Sequence, residues 1–118
     1  MASTQQTVVF PSTALTATTT GSAVVLVPRT KRCIGYLVVS GQSGTVTVAG
    51  KIQHSPDGVN GWTDWLSFTT TSAGAAANEV KLPTSDFVLP YVRAVLTLGG
   101  AATTCTAAVY LYSETYAQ

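Results

Sequence analysis

Charge is what this sequence has least of. Six basic and five acidic residues make up 9% of its 118 positions and leave a formal net charge of +1, where an ordinary globular chain carries ~25% charged residues. With no basic stripe to follow phosphates and no polybasic patch for anionic lipid, neither nucleic acid nor a membrane surface is an expected partner. Long apolar runs are missing as well. Nothing approaches the ~20 consecutive apolar residues of a membrane span, and the opening MASTQQTVVFPS lacks the basic start and apolar stretch of a secretory signal, so synthesis in a cytosol is expected. A chain with so little charge and a mean hydropathy of +0.30 implies that much of its outside is covered by other protein, in a homo-oligomer or on a larger lattice.

Chemistry-bearing residues are equally scarce. Cys33 and Cys105 have no CxxC partner, and in a cytosolic chain two isolated cysteines read as buried, reduced thiols. The one histidine, His54, sits near the end of an alternating segment with Asp57 and Asp64 close in sequence. A lone histidine there reads as a hydrogen-bonded structural residue, since no second histidine, thiolate pair or carboxylate cluster completes a metal site. There is no G-x-S-x-G elbow and no phosphate loop. The expectation is therefore no catalytic residues, no metal, no cofactor and no small-molecule ligand.

What is present is two-residue alternation. In TVTVAGKIQHSPDGVNGWTDWL (residues 45–66), Val46, Val48, Ile52 and His54 share one face and Thr45, Thr47, Lys51 and Gln53 the other, followed by the Asp57-Gly58 and Asn60-Gly61 turn signals and a short Trp-containing strand. Strands are predicted at residues 22–27, 31–40, 45–54, 62–68, 78–82, 87–89, 91–98 and 104–112, with turns and segment-end prolines between them and no helical period anywhere. Such short strands at this spacing predict an all-β, antiparallel sandwich of jelly-roll type, with about eight strands in one domain over residues 21–118. Residues 1–20, rich in Thr, Ser, Gln and Ala, are read as an extended N-terminal arm whose Val8-Val9-Phe10 cluster docks on a neighbour. Trp62 and Trp65 occupy opposite faces of their strand, one for the core and one for the rim.

Residues 91–98 are apolar at Val92, Ala94, Leu96 and Leu98, and residues 104–112 at Cys105, Ala107, Val109 and Leu111. Joined as a hairpin through a loop at 100–103, they put Val92 opposite Leu111 and Ala94 opposite Val109. The same register gathers Tyr91, Arg93, Tyr110 and Tyr112 into one outward patch. Tyrosine and arginine are enriched at protein interfaces. Val8, Val9, Phe10, Tyr91, Arg93, Tyr110 and Tyr112 are accordingly the candidate interface residues.

The pattern Ser55-x-Asp57-Gly58 then Trp62-x-Asp64, followed by Tyr91-Val92-Arg93-Ala94, resembles minor capsid, decoration (cement) and head-tail proteins of tailed bacteriophages. The resemblance covers roughly residues 51–112 and leaves the N-terminal third unmatched. It implies a virion structural protein with a β-sandwich body whose partners are the major capsid protein or other virion proteins. A decoration protein clamping the head shell is the first expectation and a neck or tail component the second. A carbohydrate-binding module using Trp62 or Trp65 is the alternative from another class.

Overall fold

A computed structural model describes residues 2–26, 30–42, 45–71, 76–84, 88–100 and 104–116. All of its regular structure is strand: β1 (Ala2–Leu15), β2 (Thr19–Thr20), β3 (Val24–Val25), β4 (Thr30–Ser40), β5 (Thr47–Ser55), β6 (Thr63–Ser67), β7 (Ala77–Lys81), β8 (Tyr91–Gly99) and β9 (Cys105–Tyr116). They form two antiparallel sheets, one in the order β1-β9-β4-β7 and one in the order β2-β8-β5-β6, with β3 also beside β8. The expected all-β sandwich is what the chain forms.

Alternation places the core between the sheets. Leu37, Val39, Val109 and Leu111 of the first sheet and Val48, Ile52, Val92, Ala94 and Leu96 of the second are all buried in one cluster with Trp65, Leu66, Phe68 and Val46, which precedes β5. Ile52, Val92, Leu96, Val109 and Leu111 are completely covered, as their positions in the alternating pattern predict. Gly35 makes the close approach of the sheets possible: a Cβ there would lie 2.7 Å from Leu66 Cδ1 and 3.0 Å from Phe68 Cζ. Cys33 and Cys105 are buried and unbridged, as expected.

Two expectations are corrected. β8 and β9 are consecutive but do not pair: β8 lies against β5, β2 and β3 in one sheet, and β9 lies between β1 and β4 in the other. The chain crosses from sheet to sheet after Gly99 instead of turning back, so Val92, Ala94, Val109 and Leu111 belong to opposite walls of the core, not to neighbouring positions of one hairpin. Alternation could not reveal this, because a strand keeps the same dry side whether its successor lies beside it or across the core.

The second correction concerns the N-terminus. Residues 2–15 are extended but are not a free arm. They form β1, which pairs with β9 from Ala2↔Tyr116 to Leu15↔Cys105, with register shifts between Val8 and Phe10 and between Phe10 and Thr13. Those irregularities turn Val9 and Phe10 inward together, and with Leu15 they join the core.

Candidate functional site

The outer face of the second sheet gathers the residues of the Ser-x-Asp-Gly and Trp-x-Asp patterns. Ser55, fully covered, ends β5, and its hydroxyl accepts the amides of Gly58 (3.0 Å) and Asp57 (3.3 Å) while donating to the Asn60 carbonyl. Asp57 Oδ1 accepts the amides of Asn60 (2.7 Å) and Val59 (2.9 Å). These bonds hold its carboxyl below the usual carboxylate range, the Asn60 amide contributing most. Gly58 completes the turn with φ of 77°, and a Cβ there would meet the Tyr91 ring at 2.9 Å, so only glycine satisfies both the backbone and the ring.

From that turn the face continues as a polar chain. A register shift between Ile52 and Gln53 leaves Trp65 as the extra residue of β6, which lets Trp65 and Leu66 both bury while Asp64 stays outside. Asp64 accepts Gln53 Nε2 at 2.9 Å and lies 3.1 Å from Lys51 Nζ. The Gln53 bond is the first cause of its lowered pKa, with Lys51 second. Gln53 Oε1 in turn accepts Arg93 Nε at 2.9 Å, and the Arg93 guanidinium lies 4.2 Å from the centre of the Trp62 ring. Ser55, Asp57, Gly58, Trp62, Asp64, Tyr91 and Arg93 are thus linked through one turn and one sheet face, which gives their spacing a structural cause.

His54 has the structural surroundings expected of it. Its ring stacks on Trp65, with centroids 5.7 Å apart and planes 15° from parallel, and its Nδ1 accepts the Leu89 amide at 3.2 Å. Desolvation lowers its pKa and keeps it neutral. Trp65 is buried and Trp62 half-covered, so Trp62 is the rim tryptophan. Among the described residues, no group of three or more His, Cys, Asp or Glu is placed to hold a metal ion, and no helix is long and apolar enough to cross a membrane.

The outer face of the first sheet is different in kind. Val8 pairs with Tyr110, Tyr110 with Tyr36, and Tyr36 with Val80, so one row crosses all four strands. The next row is Gln6, Tyr112 and Ile34, with Gln6 Nε2 donating to the Tyr112 hydroxyl at 2.9 Å. On the other side of the Tyr36–Tyr110 row come Ala108, Val38 and Asn78. Tyr36 stacks on Tyr110 at 6.3 Å between centroids and lies 6.4 Å from Tyr112. Val8 and Val80 are 43% and 59% exposed. Among the described side chains of these four strands the charged ones are Glu79 and Lys81, and they pair with Leu37 and Gly35 of the opposite, inward parity. The outer face is therefore uncharged over its described extent.

The structure divides the expected interface residues among three places. Tyr91 and Arg93 lie on the outer face of the second sheet, Tyr110 and Tyr112 on that of the first with Val8, and Val9 and Phe10 in the core. The single Tyr-Arg patch does not form, because the strands carrying its halves belong to different sheets. Tyr36, Ile34 and Val80 are the members of the neutral face that sequence reading missed. Their signal was present in the apolar outward positions of residues 34–38, which, unlike the outward positions of residues 45–54, hold no Lys or Gln. In comparisons with known proteins, no family model matches the chain, and no curated protein or solved structure matches it.

Proposed function

We propose that this chain is a non-enzymatic structural protein of a tailed-phage particle, a decoration or cement protein seated on assembled capsid subunits through the outer face of its four-stranded sheet. The observation that carries this reading is the division of charge between the two faces. One side displays Tyr36, Tyr110, Tyr112, Ile34, Val8 and Val80 without a described charge, and the other displays Lys51, Asp64 and Arg93. A face rich in tyrosine and aliphatic groups loses little side-chain entropy on docking, and among its described side chains no ion has to be desolvated. The charged side is suited to remain in water.

The strand order supports the same reading at the level of architecture. With β2 and β3 taken as one interrupted strand, the orders β1-β9-β4-β7 and β2-β8-β5-β6 suit an eight-strand, two-sheet jelly roll, an arrangement used by viral capsid and lectin domains. Architecture alone does not assign function. The resemblance of residues 51–112 to phage structural proteins supplies the partner, a capsid lattice. A protein that binds only the assembled lattice stabilises it by mass action, about 2.7 kcal/mol per site at a hundredfold excess over Kd.

The test is co-sedimentation of the purified chain with phage heads assembled without it, with the heads imaged by electron microscopy. Saturable binding across the shell that raises the melting temperature of the heads, and its loss in Tyr110→Glu, is the expected result. Density confined to one vertex would place the protein at the neck or tail instead. Undiminished binding of Tyr110→Glu, with loss of binding in Arg93→Ala, would move the contact to the second sheet and overturn the face assignment.

A further inference from the structure

A sheet edge carries a row of unpaired backbone donors and acceptors, and proteins blunt such edges with charge, proline, bulges or shortness. Three of this sandwich's four edges are blunted. β7 is five residues long and carries Glu79 and Lys81. β6 carries Asp64 and a bulge, and Thr84 crosses its flank, donating its amide and hydroxyl to the Trp65 carbonyl. β2 and β3 are two residues each, separated by a break at residues 21–23.

β1 is the exception. Its C-terminal half has Pro11 and both register shifts, but from Ala2 to Val8 the pairing with β9 runs without interruption. These seven residues include no proline, and the sequence has no charged side chain before Arg29. β9 occupies one side of β1, and β1 ends the sheet, so among the described residues no strand pairs with the other side of this neutral segment, ~24 Å long.

We infer that residues 2–8 of β1 pair antiparallel with the same residues of a second copy, about a twofold axis at Gln5, making one continuous eight-stranded sheet. The register follows from the strand itself. Antiparallel partners must share a face, and centring the uninterrupted segment on itself sets Ala2 against Val8 of the second copy, Thr4 against Gln6 and Gln5 against Gln5. Every facing pair is uncharged, so the twofold creates no like-charge contact. A charged partner strand would meet no counter-charge on residues 2–8 themselves. Seven facing pairs supply about six to eight backbone hydrogen bonds. The area of one strand edge falls at the low end of specific interfaces, so association is concentration-dependent. Because the operation is isologous it closes at two copies, whereas β1 meeting β7 of another molecule would propagate into a fibre. The neutral outer face of one copy then runs across the seam, through Val8 and Gln6, into that of the other.

Sedimentation velocity over a concentration series reads this directly. The full chain is expected to pass reversibly from monomer to dimer. Gln5→Lys, which sets two ammonium groups across the axis, weakens self-association at least tenfold, as does Gln5→Asp, and an equimolar mixture of the two variants restores the dimer. Amide exchange of the unaltered chain gives a second readout that needs no variant: residues 2–8 exchange more slowly as concentration rises, and residues 11–14 do not. A chain that stays monomeric to millimolar concentration, grows beyond two copies, or dimerises as Gln5→Lys as well as it does unaltered would overturn the inference. So would folded Lys and Asp variants whose mixture stays monomeric.

Discussion

Ser55 holds the β5–β6 turn from inside: its hydroxyl satisfies two amides and a carbonyl in a place water does not reach. Ser55→Ala leaves those groups without their partner, and urea unfolding should show a loss of about 1–3 kcal/mol. His54 makes a prediction about pH. Burial lowers its pKa, and its Nδ1 must stay unprotonated to accept the Leu89 amide. The folded state therefore binds fewer protons than the unfolded state. The contribution is present above the unfolded value near 6.5 and is lost as pH falls from there through the lowered folded value. Melting temperature should decline between pH 7 and 5 in the unaltered chain, and less steeply in His54→Gln. The carboxyls of Asp57 and Asp64, also lowered, act in a more acidic window, below the ordinary Asp value near 4. Burial pushes the Cys33 thiol up to about 11 and raises Cys105 too. Both should resist iodoacetamide at pH 8 until the chain is unfolded, and mass spectrometry of labelled native protein checks this. The surroundings of His54 and the two cysteines were legible in the sequence because each rests on isolation: no second histidine, thiolate pair or carboxylate cluster completed a site around any of them.

At the level of single elements, legibility divides along a physical line. Which side of a strand is dry can be read from its own residues, so β5, β8 and β9 show their inward positions in the sequence. Leu96, wholly covered in the middle of β8, should cost about 2–5 kcal/mol when changed to Ala, measured by the urea midpoint. Which strand lies beside which depends on distant residues. β8 and β9 keep the same alternation as the walls of a core that they would keep as a hairpin. β1 was hidden for a related reason: its inward cluster is a register irregularity, Val9 beside Phe10, that breaks the two-residue period by which a strand is recognised. Deleting residues 2–15 should therefore uncover β9 along its length and abolish cooperative thermal unfolding. A truncated chain that melts sharply near the full-length temperature would show that β1 is dispensable to the fold.

At the scale of the molecule the two outer faces predict opposite responses to salt. The proposed docking through the first sheet's face, whose described side chains are uncharged, should change Kd by less than about threefold between 0.05 and 0.5 M NaCl, where contacts made by Lys51 and Arg93 would weaken steeply as the screening length shortens from ~14 to ~4 Å. A titration of phage heads at the two salt concentrations measures this. The pairing of β1 with β9 also bears on how the chain comes to exist. Gln6 and Tyr112, bonded to one another, are 106 positions apart, so a strand made early docks on one made much later. At ~5–20 residues per second on the ribosome, β1 waits roughly 5–20 seconds for its partner. Throughout that time the first sheet lacks one of its two inner strands, and the outer face carried by β9 and its neighbours does not exist. A contact that uses the rows carried by β9 and its neighbours is thus closed to any chain whose synthesis has not yet passed β9.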